Sequence, residues 1–123
     1  MAESTPPLAL SWHKDKDKEI RIAEFTASKI LDDARISEIG QTLDSLIDEV
    51  ASPKLLLDFS NVDHLSSAAL GMLINANNKV RQKNGQLRLS DIRPQILEVF
   101  VITKLNRLFK ILPTRAEALA SFQ

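Results

Sequence analysis

Apolar positions change period along the chain, and each change marks an element. Leu8, Leu10 and Trp12 alternate with Ala9 and Ser11. After a polar gap come Ile20, Ile22 and Phe25, which predicts an antiparallel hairpin near the N-terminus. From Ile36 the period lengthens. Ile36, Ile39, Leu43, Leu46, Ile47 and Val50 recur at spacings of three and four and form one stripe, with Glu38, Asp44, Asp48 and Glu49 elsewhere on the helix. Ser52-Pro53 is expected to stop that helix. Lys54 to Phe59 (KLLLDF) is a short unbroken apolar run, the pattern of a parallel strand buried on both faces. Ser66 to Asn84 returns to helical spacing, with Ala69, Leu73, Ala76 and Val80 on one face. Lys79, Arg81 and Lys83 near its end suit the helix dipole, and Asn84-Gly85 closes it. Gln86 to Ser90 alternates as a strand. Pro94 opens a third helix with Ile96, Phe100 and Leu105 facing inward. Phe109 to Leu112 reads as a short last strand, and Thr114 caps a final helix running to Ala120.

The resulting order is β-β-α-β-α-β-α-β-α. It predicts a single α/β domain: a mixed, mostly parallel sheet with an N-terminal hairpin, right-handed crossovers and four helices. A chain of 123 residues supports one such domain. Residues 1–7 (MAESTPP) read as a flexible tail and residues 8–123 as the domain. The mixed charge run from His13 to Glu19 reads as the solvated turn of the hairpin.

Charge and composition narrow the function. Lys+Arg and Asp+Glu both number 16, so the basic surplus that neutralises phosphates in a nucleic-acid binder is missing. There is no cysteine, which removes disulfides, thiolate metal sites and cysteine nucleophiles. No apolar run approaches the roughly 20 residues that span a bilayer, and residues 1–7 do not resemble a signal peptide. A cytoplasmic protein without membrane association is expected.

Candidate chemistry is sparse. The two histidines, His13 and His64, lie far apart, and the group Asp58, Asp63, His64 reads as incidental polar residues of a surface loop rather than a metal or acid–base site. Gly40, Gly71 and Gly85 are the only glycines, too few for a phosphate-cradling loop. Ser67 lacks the glycine elbow of a hydrolase nucleophile. No catalytic residue, metal ligand or cofactor is expected.

The strand–loop–helix junction from Asp58 to Gly71 (DFSNVDHLSSAALG) remains. It falls at the carboxyl end of a parallel strand, where partners and ligands dock on open α/β sheets. A serine at the helix start can accept a bond from an orphan N–H of the first turn, its commonest role. If phosphorylated, it gains a charge of about −1.5 to −2 that the helix N-terminus tolerates. Such a modification would change a docking face and leave the fold intact.

The segment Leu55 to Leu73 (LLLDFSNVDHLSSAALGML) resembles the signature of the STAS domain family. Gly85 to Leu89 and Ile102 to Phe109 resemble that family's following strand and its late helix-to-strand passage, so the likeness runs from Leu8 to Phe122. The resemblance implies an anti-sigma factor antagonist. Such a protein binds an anti-sigma factor that is also a serine kinase, is phosphorylated at the start of this helix, releases its partner, and is reset by a serine phosphatase. It implies no catalysis by the domain itself, no direct contact with nucleic acid, and a monomer or weak dimer. The expected acceptors are Ser67 and then Ser66, and the expected binding face comprises Asn61, Asp63, His64, Ser66, Ser67, Ala68 and Gly71. The chain departs from the family's pattern here. Aligned on Leu70-Gly71, the column of the modified serine holds Ala68, Ser66 replaces the usual Asp, and Ala69 replaces a Gly. A constitutive STAS protein-binding module or a stressosome-like scaffold, with neither serine modified, is the alternative.

Overall fold

The computed structural model describes residues 10–15 and 19–122. The expected tail, residues 1–7, lies outside the described residues, as do Leu8, Ala9 and the middle of the hairpin turn, residues 16–18. Among the described residues, seven strands and four α-helices follow one another, with a 3-10 turn at Leu105–Arg107: β1 (Leu10–Lys14), β2 (Arg21–Phe25), β3 (Lys29–Ile30), α1 (Asp33–Asp48), β4 (Lys54–Asp58), β5 (His64–Leu65), α2 (Ser67–Gln82), β6 (Gln86–Ser90), α3 (Pro94–Ile102), β7 (Lys110–Leu112) and α4 (Arg115–Ser121). The main sheet has the order β1-β2-β4-β6-β7. Only β1–β2 is antiparallel; β2–β4, β4–β6 and β6–β7 are parallel. This is the mixed, mostly parallel sheet with an N-terminal hairpin that the sequence predicts.

β4 is buried on both faces because both faces are covered. Leu55 and Leu57 enter the larger core with the inward residues of α1, α2 and α3, while Leu56 joins Ile20, Ile22, Ala118 and Phe122 under α4 on the opposite face. Beneath the loop that follows β4, four phenylalanines pack in sequence. Phe25–Phe59, Phe59–Phe100 and Phe100–Phe109 have centroid separations of 4.8, 6.2 and 5.7 Å. These tilted and edge-on contacts suit the aromatic quadrupole and lock the carboxyl end of the sheet to α3.

The structure differs from the sequence reading at particular boundaries. β3 and β5 form a separate two-residue parallel pair that no periodicity could announce. Trp12 does not face inward: it is 43% exposed on the edge strand, under the Arg21 guanidinium at 5.6 Å. α1 begins earlier than Ile36, because the Asp32 carboxylate caps it by accepting from the Arg35 N–H at 3.2 Å. It also ends at Asp48, before Ser52-Pro53 can act. Its last carbonyls are taken by cations from elsewhere, Arg21 Nη1 to Leu46 O at 2.7 Å and Lys83 Nζ to Ile47 O at 2.9 Å, which satisfies groups a helix end leaves open. The end of α2 is as expected at Asn84-Gly85, with Asn84 the left-handed residue, φ 59°. The bonds Gly85 N–H to Val80 O and Asn84 N–H to Arg81 O complete a Schellman ending. Gly85 is required for another reason: a Cβ there would lie 2.3 Å from the Pro53 carbonyl oxygen.

α2 carries one internal conflict. Asn77 is buried with Leu73, Ala76 and Val80, and its Nδ2 has no hydrogen-bond partner among the described residues. An unpaired buried donor costs about 1–3 kcal/mol. Asn77→Leu, which keeps the branched shape and removes the orphan donor, is expected to stabilise the fold by about 1 kcal/mol. A calorimetric scan should read this as a rise of a few degrees in Tm; a fall would show that the amide is needed.

Candidate functional site

The junction after β4 is built around Asp58. The strand delivers this carboxylate to a position only 4% exposed, and it is the one buried charge among the described residues. Three donors answer it. Oδ1 accepts from the Ser60 N–H at 2.8 Å, and Oδ2 accepts from Arg115 Nε at 2.9 Å and Nη2 at 2.6 Å. The first bond turns the chain out of the sheet. The other two bring in α4, which packs on the opposite face of the sheet from α1, α2 and α3. Arg115 also reaches Glu24 at 3.4 Å. Burial works against its positive charge, but Asp58 and Glu24 outweigh that and hold its pKa above the ordinary arginine value.

The loop is then tied at nearly every residue. Asn61 Nδ2 donates to Phe25 O at 3.2 Å and to Glu24 Oε2 at 3.4 Å. Val62 is fully buried. The N–H groups of Asp63 and His64 both donate to Ser28 O, and that of Ser66 to Ile30 O, so β5 lies along β3. Arg93, the residue before α3, donates from Nε to Ser60 O at 2.9 Å and from Nη1 to Asp63 Oδ1 at 2.6 Å. Such charge-assisted bonds are the stronger kind, although this pair is partly open to solvent.

On this platform α2 starts. Ser66 is its N-cap: extended, half-buried, with Oγ accepting from the Ala69 N–H at 3.1 Å. Ser67 is the first helical residue; it is exposed, and its hydroxyl has no partner among the described residues. Ala68 is exposed beside it. Gly71 is half-buried, and nothing lies within 4 Å of where its Cβ would be. The first turn of α2 bears no acidic side chain. His64 is exposed on β5 next to Lys29 of β3. The residues Asn61, Asp63, His64, Ser66, Ser67, Ala68 and Gly71 therefore lie on one loop and helix start. Their side chains differ in freedom: Asn61, Asp63 and Ser66 are engaged, while His64 and Ser67 are free among the described residues.

Asp58, Asp63 and His64 do not converge. Asp58 binds Arg115 below and Asp63 binds Arg93 alongside, and among the described residues no cluster of three or more His, Asp or Glu side chains could hold a metal ion. The sequence reading missed both arginines, which lie 57 and 30 residues from their partners. One local signal was available for Arg115: a cation in the first turn of a helix opposes the dipole, so a nearby carboxylate is needed to explain it.

Removing Asp58 should therefore loosen the loop and strand Arg115. Asp58→Ala is expected to cost about 2 kcal/mol in urea unfolding, less than the roughly 3–5 kcal/mol of a fully buried pair because Arg115 still reaches solvent. Amide exchange at Ser60 and Asn61 should rise at the same time. Stability within about 0.5 kcal/mol of the parent would show that the pair holds nothing together.

Comparison with known proteins bears on this architecture. BtrV of Bordetella bronchiseptica, a candidate anti-sigma factor antagonist, is 27% identical over 94 residues, 76% of this chain and 80% of its own. The structure of an anti-sigma-factor antagonist (STAS) domain protein from Planctomyces limnophilus superposes with a TM-score of 0.80 at 17% identity, covering 91% of this chain and 96% of that one. The Bacillus cell fate determinant SpoIIAA in its phosphorylated form gives 0.65 at 15% identity, covering 89% and 97%. At such identities the two structures establish the fold. The sequence profile of the STAS domain matches residues 13–118, nearly the whole described chain, and with the mixed sheet and the β4–α2 junction in place the chain belongs to the STAS domain family.

Proposed function

We propose that this protein is a cytoplasmic anti-sigma factor antagonist, a non-catalytic domain that binds an anti-sigma factor with serine kinase activity and is switched by phosphorylation. The binding face is the junction carrying Asn61, Asp63, His64, Ser66, Ser67, Ala68 and Gly71. The acceptor is Ser67, with Ser66 second. The kinase transfers the γ-phosphoryl group of ATP to the Ser67 Oγ, releasing ADP and the hydroxyl proton, and a serine phosphatase removes it by hydrolysis.

The observation that carries this reading is the contrast between two adjacent hydroxyls. Ser66 Oγ is engaged as the helix cap, whereas Ser67 Oγ is exposed and has no partner among the described residues. A phosphoryl group on Ser67 would stand at a helix N-terminus with no acid in the first turn, where negative charge is tolerated. Partner binding would suffer because about two negative charges enter a face that must be desolvated. The loop beneath is held by backbone and arginine bonds that do not involve Ser67, so the switch is expected to act on the surface rather than on the fold.

A second reading has its own support. Ala68, exposed at the next helical position, stands in the column where the family carries its modified serine. A constitutive binding module or stressosome-like scaffold would leave both serines unmodified. Incubation with ATP and candidate kinases, followed by mass spectrometry of residues 65–73, separates the two.

Ser67→Asp is expected to weaken anti-sigma factor binding by about tenfold or more in a calorimetric titration, while folding stability stays within about 1 kcal/mol. Ser66→Ala should instead cost about 1 kcal/mol of stability through loss of the cap. Unchanged affinity of Ser67→Asp would remove that hydroxyl from the mechanism. Gly71→Ala meets no steric obstacle inside the domain and should gain about 0.5–1 kcal/mol of helix stability. If a partner approaches that turn closely, the same change lowers affinity.

A further inference from the structure

α3 is apolar around most of its circumference. Ile96 and Phe100 face the core, yet Leu97, Val101 and Ile102 on the outside are 38%, 51% and 74% exposed, and Glu98 is the helix's one charged residue. A surface helix normally turns a polar face to water. Beside it, Leu97 and Val101 form one wall of a groove whose other wall is Ile111, Leu112 and Pro113, with a volume of about 580 Å³. None of the residues from Asp58 to Gly71 lines it.

The charge in the stretch that follows α3 is one-sided. Between Glu98 and Glu117 the chain carries Lys104, Arg107, Lys110 and Arg115 and no acid. Arg115 is neutralised by Asp58 and Glu24, while Lys104, Arg107 and Lys110 have no ion pair among the described residues. Lys104 and Arg107 are exposed and flank Asn106, which lines the groove, so in a chain of zero formal charge the segment entering the groove carries positive charge on both sides of that residue.

We propose that the groove between α3 and β7 is a second docking site, which takes an acidic amphipathic helix of another protein. The shape favours a helix over the other occupants. β7 is three residues long and is followed by Pro113, so an added strand would gain few ladder bonds. The surface is concave, which lets the side chains of a helix enter but leaves a flat bilayer without contact to its floor. α3 is about 13 Å long, which matches two to three turns of a partner whose apolar residues recur at i, i+3, i+4 and i+7. Acidic residues flanking that stripe would meet Lys104 and Arg107. This site stands apart from Ser67 and does not rest on the role proposed for that residue.

The test is a titration of the isotope-labelled full chain with a synthetic helical peptide of about 18 residues, leucine on one face and glutamate elsewhere. A second peptide carries lysine in place of glutamate. The acidic peptide is expected to shift the amide signals of Leu97, Val101, Asn106 and Ile111, and the lysine peptide to bind about tenfold more weakly or not at all. Val101→Asp, at an exposed position that leaves the melting curve unchanged, should weaken binding about tenfold, and Lys104→Glu with Arg107→Glu about fivefold, with added salt acting in the same direction. Ser67→Asp should leave the affinity unchanged. No shift at a peptide concentration of about 1 mM, equal binding of both peptides, or loss of binding in Ser67→Asp would overturn the proposal. Binding of phosphatidylcholine–phosphatidylglycerol vesicles without peptide binding would assign the surface to membranes instead. Self-association in sedimentation that Val101→Asp abolishes would assign it to a second copy of this chain.

Discussion

A buried carboxylate must be answered or it unfolds its surroundings, and Asp58 is where this domain meets that demand. β4 is enclosed by apolar packing on both faces, so its last side chain arrives at the top of the sheet with little access to water. The Ser60 N–H and the Arg115 fork are the donors within reach. Meeting the charge therefore bends the chain into the loop and draws α4 to the opposite face of the sheet. The same arginine extends to Glu24 at the end of β2, whose carboxylate also receives Asn61. One buried charge thus couples three parts of the molecule that the chain visits far apart.

The consequence is a platform that is stiff below and plain above. The phenylalanine row, the β3–β5 pair and Arg93 hold the loop from Phe59 to Leu65, so α2 begins from a fixed point. What it then presents is small and uncharged: Ser67, Ala68 and, a turn on, Gly71. Such a surface lets another backbone approach closely, and a single added charge changes it greatly in proportion. The apolar groove along α3 is of a different kind, with large side chains and, on either side of Asn106, the exposed cations Lys104 and Arg107. A neutral total charge conceals this division, because acids and bases are unequally placed.

The strands of the main sheet and the four helices were legible from pattern because each has a periodic face or a punctuating residue, whereas the two-residue strands β3 and β5 have neither. The stripe from Ile36 to Ile47, the apolar run at Leu55–Leu57, Pro94 at the start of α3 and the Thr114 cap each carry local physics that does not depend on the rest of the fold. The start of α2 at Ser66-Ser67 was readable for the same reason. The start of α1 was open to the same kind of reading through Asp32, since a cap acts within one turn. Its end was not. Pro53 is a real barrier, but Arg21 and Lys83 close the helix earlier, and their reach depends on how β2 and α2 pack against it.

By itself, then, the order of residues determined the five strands of the main sheet, the four helices, the α/β class, the family likeness and the position of the serine pair, all of which follow from interactions spanning a few residues. Only the folded chain decided that Ser66 is engaged while Ser67 is free among the described residues, that Asp58 and Asp63 are each paired with an arginine, and that α3 keeps a bare apolar side. Those outcomes depend on which distant donors and surfaces arrive at the same point. No local spacing encodes that meeting, because it is set by sheet order and by the packing of helices on both faces.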